Sequence, residues 1–231
     1  MSQQYSPMGF RVLPPVVKHL LIINALMFLA TFTLNRFRID LTDILGLHFF
    51  KASDFRPYQL ITYMFMHANF EHLFFNMFAL WMFGNTLENM WGSKRFLWFY
   101  LVCGLGAGVC QELVQYIQYA TTLADYANVN LGGGHVVPMS AYLNMMNTVG
   151  ASGAIYGLLL AFGMMFPEST IYLYFFVPIK AKWFVIVFAV IELVSGLASS
   201  GSNIAHFAHL GGMLFGLLLI LHWKKKGELY G

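Results

Sequence analysis

Seven polar side chains of kinds that often catalyse reactions lie inside stretches of this sequence that are otherwise apolar. They are His72, Asn76, Ser152, Tyr156, Glu192, His206 and His209. An ionisable or amide group surrounded by hydrocarbon costs free energy, and it therefore calls for a partner or a function. A serine with a histidine can supply an activated nucleophile, because the imidazole takes the hydroxyl proton.

The spacing of these residues groups them on helix faces. His72 and Asn76 are four residues apart, as are Ser152 and Tyr156, so each pair shares one face of a helix. His72, Ser152 and His209 also lie near the same end of their segments, roughly 5 to 10 Å deep by the rise of a helix. Scattered structural polar residues would not need to agree in depth, so we expect one functional layer.

Small residues repeat beside the serine and beside the last histidine. Gly153 and Gly157 follow the serine, and Gly212 and Gly216 continue the stripe of the histidine. Such small-xxx-small pairs let two membrane helices approach closely. We therefore expect these two helices to bring the hydroxyl and the imidazole within reach of each other.

Other hydrolytic chemistries fit the sequence less well. It contains no H-E-x-x-H zinc motif, and Ala154 stands where the soluble hydrolase elbow G-x-S-x-G needs its last glycine. A paired-aspartate mechanism needs carboxylates in the spans, but all the aspartates fall in loops, at Asp40, Asp43, Asp54 and Asp125. We expect neither a metal nor a cofactor.

What remains is Gly150-Ala-Ser152-Gly153 at the start of a helix. A helix N-terminus offers unpaired N–H groups and partial positive charge to a developing oxyanion. The amides near Ser152 and Gly150, with side-chain donors from His72 and Asn76, form the predicted oxyanion site. His209 is the predicted general base.

Three further residues receive narrower predictions. Tyr156 is expected to orient the imidazole by stacking or by a hydrogen bond. Glu192 is interpreted as an interior hydrogen-bond partner, and His206 receives no role. No Asp or Glu is obviously placed to orient His209, so the sequence predicts a Ser–His dyad.

The composition indicates the environment in which the chain folds. Of 231 residues, 58% are hydrophobic and 10% are charged, with a mean hydropathy of +0.64. A soluble domain has about 25% charged residues, so this chain cannot cover a globular surface with polar groups. The composition excludes disorder, a nucleic-acid-binding module and an ordinary cytosolic enzyme, and it indicates a membrane protein.

Six apolar stretches are long enough to be spanning helices. They cover residues 16–34, about 65–83, 96–117, 150–166, about 181–198 and 204–223. We expect a cytoplasmic tail over residues 1–15, a six-helix membrane domain over 16–223 and a basic cytoplasmic tail over 224–231. No A-x-A-like cleavage site follows the first stretch, so it is predicted to be retained. Cys103 and Cys110 are predicted to be reduced packing residues.

The distribution of Lys and Arg predicts the orientation, because cytoplasmic loops carry more of them. With both termini inside, nine of the 13 Lys and Arg residues fall on the cytoplasmic side. Two predicted outer loops are long. Residues 35–62 are rich in Phe and could lie half-buried in the outer leaflet, whereas residues 119–147 contain no Lys or Arg, and we expect them to be mobile.

At these residues the sequence resembles rhomboid-family intramembrane serine proteases, over about residues 16–223. The resemblance rests on four motifs: His67-Ala-Asn-Phe-Glu-His72-Leu-Phe-Phe-Asn76, Gly84-Asn-Thr-Leu-Glu88, Gly150-Ala-Ser152-Gly153-Ala-Ile-Tyr156 and Ala208-His209-Leu-Gly-Gly212-Met-Leu-Phe-Gly216. One departure lies in the first outer loop, where Phe55-Arg56 stands in place of the Trp-Arg of many members.

The resemblance implies an all-α bundle of six transmembrane helices in a bacterial inner membrane. It implies Ser152 as nucleophile, His209 as base, and His72 and Asn76 in the oxyanion site. The implied substrates are other membrane proteins, cleaved near their outer ends where the helix unwinds easily. No nucleic-acid or metal partner is expected.

Two other functions are consistent with parts of the pattern. One is an inactive relative that binds or escorts membrane proteins, although such relatives usually lack the Ser or the His. The other is a transporter that uses His72, Asn76 and His209 as a polar relay. A relay needs polar groups across the whole bilayer, whereas these cluster at one end.

Overall fold

Long apolar helices make up most of the chain. The computed structural model describes residues 10–173, 176–198 and 204–229. The first nine residues of the predicted N-terminal tail and the last two of the basic tail lie outside the described residues. The helices in the described ranges are α1 (Pro15–Asn35), α2 (Leu41–Leu45), α3 (Gln59–Thr62), α4 (Phe70–Trp91), α5 (Ser93–Gln118), α6 (Met139–Met145), α7 (Ser152–Met165), α8 (Ala181–Ala198) and α9 (Ile204–Lys225).

The six longest of these helices lie where the sequence predicts six apolar segments. Five of them have nearly the predicted bounds. Helix α4 begins at Phe70 rather than near residue 65, because Asn69 caps it and accepts the His72 N–H at 2.8 Å. Tyr63–Phe65 instead form a separate 3-10 turn before this cap.

Four helices in the described part of the chain are long and apolar enough to cross a membrane. These helical stretches cover Pro15–Asn35, Ser93–Leu123, Ala181–Ala198 and His206–Lys225. Helix α7 is a shorter apolar helix, and α4 carries several polar residues along its length. The chain is therefore a mostly helical membrane protein, and crossing by all six helices stays a prediction.

Short antiparallel ribbons occupy the segments between the long helices. Strand β1 (Leu47–His48) pairs with β4 (Asn147–Thr148), β2 (Asn128–Asn130) with β3 (Val136–Pro138), and β5 (Thr170–Leu173) with β6 (Val177–Lys180). The predicted outer loops thus contain regular structure that their composition does not reveal.

The β1–β4 ribbon ties the first long loop to the segment that enters α7. Leu47 lies opposite Thr148, and His48 lies opposite Asn147. The His48 side chain is fully buried, and its ring nitrogens lie 2.9 Å from the Asn144 carbonyl and 2.8 Å from the Asp43 carbonyl. The ribbon therefore fixes the chain four residues before Ser152.

A buried carboxylate joins α1 to the α4–α5 junction. Glu88 accepts the N–H groups of Val16 and Val17 at 2.9 and 2.8 Å and the hydroxyl of Ser93 at 2.6 Å. The first N–H groups of a helix have no partner within the helix. Glu88 supplies acceptors for two of them, so α1 starts against α4 without leaving buried donors unpaired.

The connection from α7 to α8 is held by an exposed ion-pair cluster. Lys180 lies 2.5 Å from Glu168, and Lys182 contacts the other oxygen of the same carboxylate. Hydrogen bonds from these two ammonium groups lower the pKa of Glu168 to about 2. The cluster joins the segment just before β5 to the end of β6 and the start of α8.

Helices α5, α7 and α9 form the centre of the bundle, and glycines allow their close approach. A Cβ on Gly212 would lie 1.8 Å from the Gly153 carbonyl oxygen, and one on Gly157 would lie 2.5 Å from the Cys103 sulfur. Such distances leave no room for a side chain, so the glycine pattern marks where α7 and α9 touch. Cys103 and Cys110 are both free, and from α5 Cys103 packs against Gly157 and Cys110 packs against Gly211.

Replacing Gly212 by alanine is expected to destabilise the bundle, because the added methyl group meets backbone rather than a flexible side chain. Overpacking of this kind costs about 1–3 kcal/mol. Thermal unfolding of the detergent-purified protein should show the midpoint lowered by several degrees. Leu214→Ala, on the same helix but half-exposed, is the control and should change the midpoint little. An unchanged midpoint for Gly212→Ala would contradict the close contact.

Candidate active site

Ser152 is the first residue of α7, and a tight turn delivers it there. Gly150 has a φ of 129°, which residues with a Cβ rarely adopt, and its N–H donates to the Tyr63 carbonyl at 2.9 Å. Ala151 already has helical dihedrals, so the helix begins at the serine itself. The turn leaves the serine at the end of the helix where the N–H groups are not bonded within the helix.

His209 faces this serine from α9. The Nε2 atom of His209 lies 2.8 Å from the Ser152 Oγ, which is hydrogen-bond distance. The two side chains come from separate helices, and the contact exists because the glycines below them let α7 and α9 touch. The structure thus brings together the two residues that the sequence assigns as nucleophile and base.

Tyr156 holds the imidazole by its flat face. Its ring lies parallel to the His209 ring, with 4.2 Å between the centroids and 5° between the planes. Tyr156 is one helical turn after Ser152, so α7 supports both the hydroxyl and the ring that faces its partner. Tyr156 was expected to orient the imidazole by stacking or by a hydrogen bond, and in the structure it does so by stacking.

The Tyr156 hydroxyl points elsewhere, to a carboxylate from α8. It donates a hydrogen bond to Oε1 of Glu192, and the Nδ1 atom of His206 lies 2.5 Å from Oε2. Glu192 is 7% exposed, so its charge depends on these partners. The predicted role of Glu192 as an interior hydrogen-bond partner is confirmed, and His206 is one of its partners.

A carboxylate lies beside His209, although no Asp or Glu was obviously placed to orient it in the sequence. The Nδ1 atom of His209 lies 3.1 Å from Glu192 Oε1, on the side of the ring opposite the serine. The N–H is not directed at the oxygen closely enough to count as a hydrogen bond, so the contact is electrostatic. Sequence reasoning missed it because Glu192 and His209 lie on helices whose relative rotation no spacing rule gives.

Gly150 lies close to both Ser152 and His72, and Asn76 follows His72 by one turn of α4. Asn76 is buried and donates one amide hydrogen to the His72 carbonyl at 2.8 Å, which leaves its second amide hydrogen available. The Nδ1 atom of His72 accepts a long 3.5 Å bond from the Ala68 N–H, which favours the neutral tautomer with its hydrogen on Nε2. A Cβ on Gly150 would lie 2.8 Å from this Nε2 and 3.5 Å from Ser152 Oγ.

Gly150 therefore contributes to this region by its lack of a side chain. Its own N–H is committed to the Tyr63 carbonyl and is not a free donor, contrary to a direct oxyanion role. The candidate donors near the serine are the Nε2–H of His72 and the N–H groups of the first turn of α7. The second amide hydrogen of Asn76, one helical turn from His72, is a further candidate.

One group of side chains in the described ranges could hold a metal ion. Glu192, His206 and His209 each offer a ligand atom, and these atoms lie within 4.8 Å of one another. Two of these side chains, however, already meet in the contact between His206 and Glu192. The hydrogen bonds of Glu192 to His206 and Tyr156, together with its electrostatic contact with His209, account for the proximity of these side chains.

A family model and the similar proteins of known name agree on one family. A family model described as Rhomboid domain matches residues 54–225. The chain is 31% identical over 173 residues to the rhomboid protein YdcA of Bacillus subtilis. The aligned region covers 74% of this chain and 69% of that protein.

Two mitochondrial proteins are also similar to the chain. RHOMBOID-like protein 12, mitochondrial, of Arabidopsis thaliana is 30% identical over 203 residues, covering 85% of this chain and 55% of that protein. Rhomboid protein 1, mitochondrial, of Saccharomyces cerevisiae is 29% identical over 154 residues, covering 67% and 38%. The chain thus spans well under two thirds of the length of each of these relatives.

The geometry predicts a reactive serine. A fluorophosphonate probe should label Ser152 in the detergent-purified protein, and Ser152→Ala should abolish the labelling. His209→Gln should slow the labelling by about 100-fold or more, because general-base catalysis contributes about 10²- to 10⁴-fold. Ser93, whose hydroxyl donates to Glu88 and not to an imidazole, provides the control variant Ser93→Ala. Labelling of Ser152→Ala at the wild-type rate would remove Ser152 as the reactive group.

Proposed function

The chain belongs to the rhomboid family, and we propose that it is a serine endopeptidase that cleaves transmembrane segments of other membrane proteins. The observation that carries this proposal is the 2.8 Å contact between Ser152 Oγ and His209 Nε2. Membership of the family supports a protease function in a membrane. The proposal adds the residues that perform the reaction in this chain.

The acylation step starts at the serine hydroxyl. Ser152 Oγ attacks the carbonyl carbon of the substrate peptide bond while its proton passes to His209 Nε2. The new C–O bond forms, and the π electrons of the carbonyl move to its oxygen as an oxyanion. When the oxyanion collapses, the C–N bond breaks, and His209 gives its proton to the leaving amine. The product is an acyl group on the serine and a free amine.

Water completes the cycle by the same route. His209 takes a proton from the water molecule as its oxygen attacks the acyl carbon. The second oxyanion collapses and expels the serine oxygen, which recovers the proton from His209. The carboxylic acid product leaves, and the enzyme returns to its starting state with every atom and proton accounted for.

The donors near Ser152 would stabilise the two oxyanions. His72 and Asn76 each present an N–H from α4, and the first turn of α7 adds backbone N–H groups and the positive end of a helix dipole. Removing one such donor in a soluble serine protease costs about 3 to 4 kcal/mol of transition-state stabilisation. Gly150 and the glycines Gly212 and Gly216 would serve by letting the elements approach.

The finer membrane arrangement belongs to the same proposal. We place six spans with both termini in the cytoplasm, and the catalytic groups just below the outer surface, in agreement with the distribution of Lys and Arg. The relatives include mitochondrial proteins as well as a bacterial one. A bacterial inner membrane stays the prediction from the six-span pattern.

Cleavage assays with a panel of single-span membrane proteins test the proposed function directly. The wild-type protein, purified in detergent, should convert at least one of them into two fragments. Ser152→Ala should produce none, whereas Ser93→Ala should keep the wild-type rate. Cleavage by Ser152→Ala would contradict the assignment, and flux of a solute in proteoliposomes that persists in Ser152→Ala would favour a transporter instead.

The choice of substrate should depend on how easily its helix unwinds. A peptide bond inside a regular helix is shielded by its own hydrogen bonds, and Gly or Pro weakens the helix by about 1 to 3 kcal/mol per residue. Replacing small or helix-breaking residues near the outer end of a cleaved substrate by Leu should lower its cleavage rate about tenfold or more. The same replacements near its inner end are the control. Cleavage that is insensitive to both sets would refute this requirement.

A further inference from the structure

We propose that Glu192 is the positioning residue of the base, so that the hydrolytic machinery has three members, Ser152, His209 and Glu192, rather than two. This inference rests on the proposed function, since it assigns a role within that reaction. It is supported by three observations: the position of the carboxylate beside the ring, the way the carboxylate is itself held, and its burial.

The position of the carboxylate is the first observation. On one side of the His209 ring, Ser152 Oγ lies 2.8 Å from Nε2, and on the other side Glu192 Oε1 lies 3.1 Å from Nδ1. Nε2 must be unprotonated to accept the serine proton, so the neutral ring must carry its hydrogen on Nδ1. An anion beside Nδ1 favours that tautomer, and it stabilises the imidazolium that forms when the serine proton arrives.

The resting contact is not fully aligned, since the Nδ1–H of His209 does not point directly at the oxygen. Catalytic hydrogen bonds are often long or poorly directed before substrate binds, and they tighten in the reacting complex. The Tyr156 ring lies flat against the imidazole and limits rotation of that ring about its Cβ–Cγ bond. The 3.1 Å separation between Nδ1 and Glu192 Oε1 is already within hydrogen-bond distance, so a small change in the angle between ring and carboxylate is enough to align the bond.

The support of the carboxylate is the second observation. Tyr156 donates its hydroxyl to Oε1, and His206 Nδ1 lies 2.5 Å from Oε2. Tyr156 therefore contacts the base twice, once through its ring and once through the oxygen that faces Nδ1. A carboxylate fixed at both oxygens can hold an imidazole in one orientation, whereas a mobile one could not.

Burial is the third observation. Glu192 is 7% exposed and lies in an apolar helix, whose other faces carry exposed aliphatic side chains such as Val190 and Val194. A charge in that setting is costly unless it is paired and hydrogen-bonded. Its partners are Tyr156, His206 and His209, and His209 contacts Ser152, so the charge is placed where the imidazolium develops.

Kinetics of the variants test this role. Glu192→Gln keeps the size of the side chain and removes its charge, so kcat for a cleaved substrate should fall about 100-fold with KM unchanged. That loss is smaller than the about 10⁴-fold seen for the matching change in a soluble triad, because the resting contact is less well aligned. Glu192→Asp, which keeps the charge on a shorter side chain, should recover part of the loss.

The matched control is Glu112→Gln, the same chemical change in α5. The Glu112 carboxylate accepts the Phe50 N–H at 2.7 Å, and the amide oxygen of a glutamine can accept the same N–H. This variant should cleave within about twofold of wild type. Wild-type kcat in Glu192→Gln, or no gain in Glu192→Asp over Glu192→Gln, would overturn the role of the charge.

A spectroscopic measurement decides the inference even if no substrate is cleaved. The ¹⁵N chemical shifts of the His209 ring report which nitrogen carries the hydrogen, and His209→Gln identifies its signals among the eight histidines. In the neutral ring, the Nδ1–H form should dominate in the wild type and in Ser152→Ala, and its share should fall in Glu192→Gln. An unchanged share would overturn the inference, whereas failure of every protease assay would overturn only the proposed function.

One further outcome would replace this role by another. If a chelator abolished cleavage by the wild-type protein and added Zn²⁺ restored it, then Glu192, His206 and His209 would be metal ligands, and the positioning role would be wrong. Full activity in the presence of the chelator supports the proposal.

Discussion

The contact between the backbones of α7 and α9 is the constraint on which the site depends. A side chain at Gly212 would collide with the Gly153 carbonyl, so the two helices meet at a separation that only glycine permits. At that separation a serine and a histidine on different helices come within hydrogen-bond distance. Lipid does not drive helices together by the hydrophobic effect, so close van der Waals packing of this kind supplies much of the association.

Two buried carboxylates also hold helices of the bundle together, through hydrogen bonds. Glu88 accepts the first N–H groups of α1, and Glu192 gathers donors from α7 and α9. In each case a charge that would be costly alone is surrounded by donors that also need acceptors. The result is that helices distant in sequence are fixed to each other by polar contacts as well as by shape.

Much of the fold and part of the site could be predicted from the sequence, for identifiable physical reasons. Apolar runs are continuous along the chain, so the long helices were predictable, and the glycines beside Ser152 and His209 indicated which of them would touch. The cap at Asn69 moved the start of α4 to Phe70, and the helix continues to Trp91, beyond the predicted end near residue 83. Two-residue ribbons such as β1–β4 are too brief to give a periodic signal. The proximity of Glu192 to His209 depends on how far α8 is rotated about its axis, which a single sequence does not encode locally.

One element of that ribbon has a consequence for how the molecule responds to change. Leu47 and His48 pair with the strand that immediately precedes the turn before Ser152. The position of that turn therefore depends on a segment that lies about a hundred residues earlier in the chain. Because the two strands are hydrogen-bonded to each other, an insertion, a deletion or a bound ligand that displaces residues 47–48 is expected also to displace the strand that leads to Ser152.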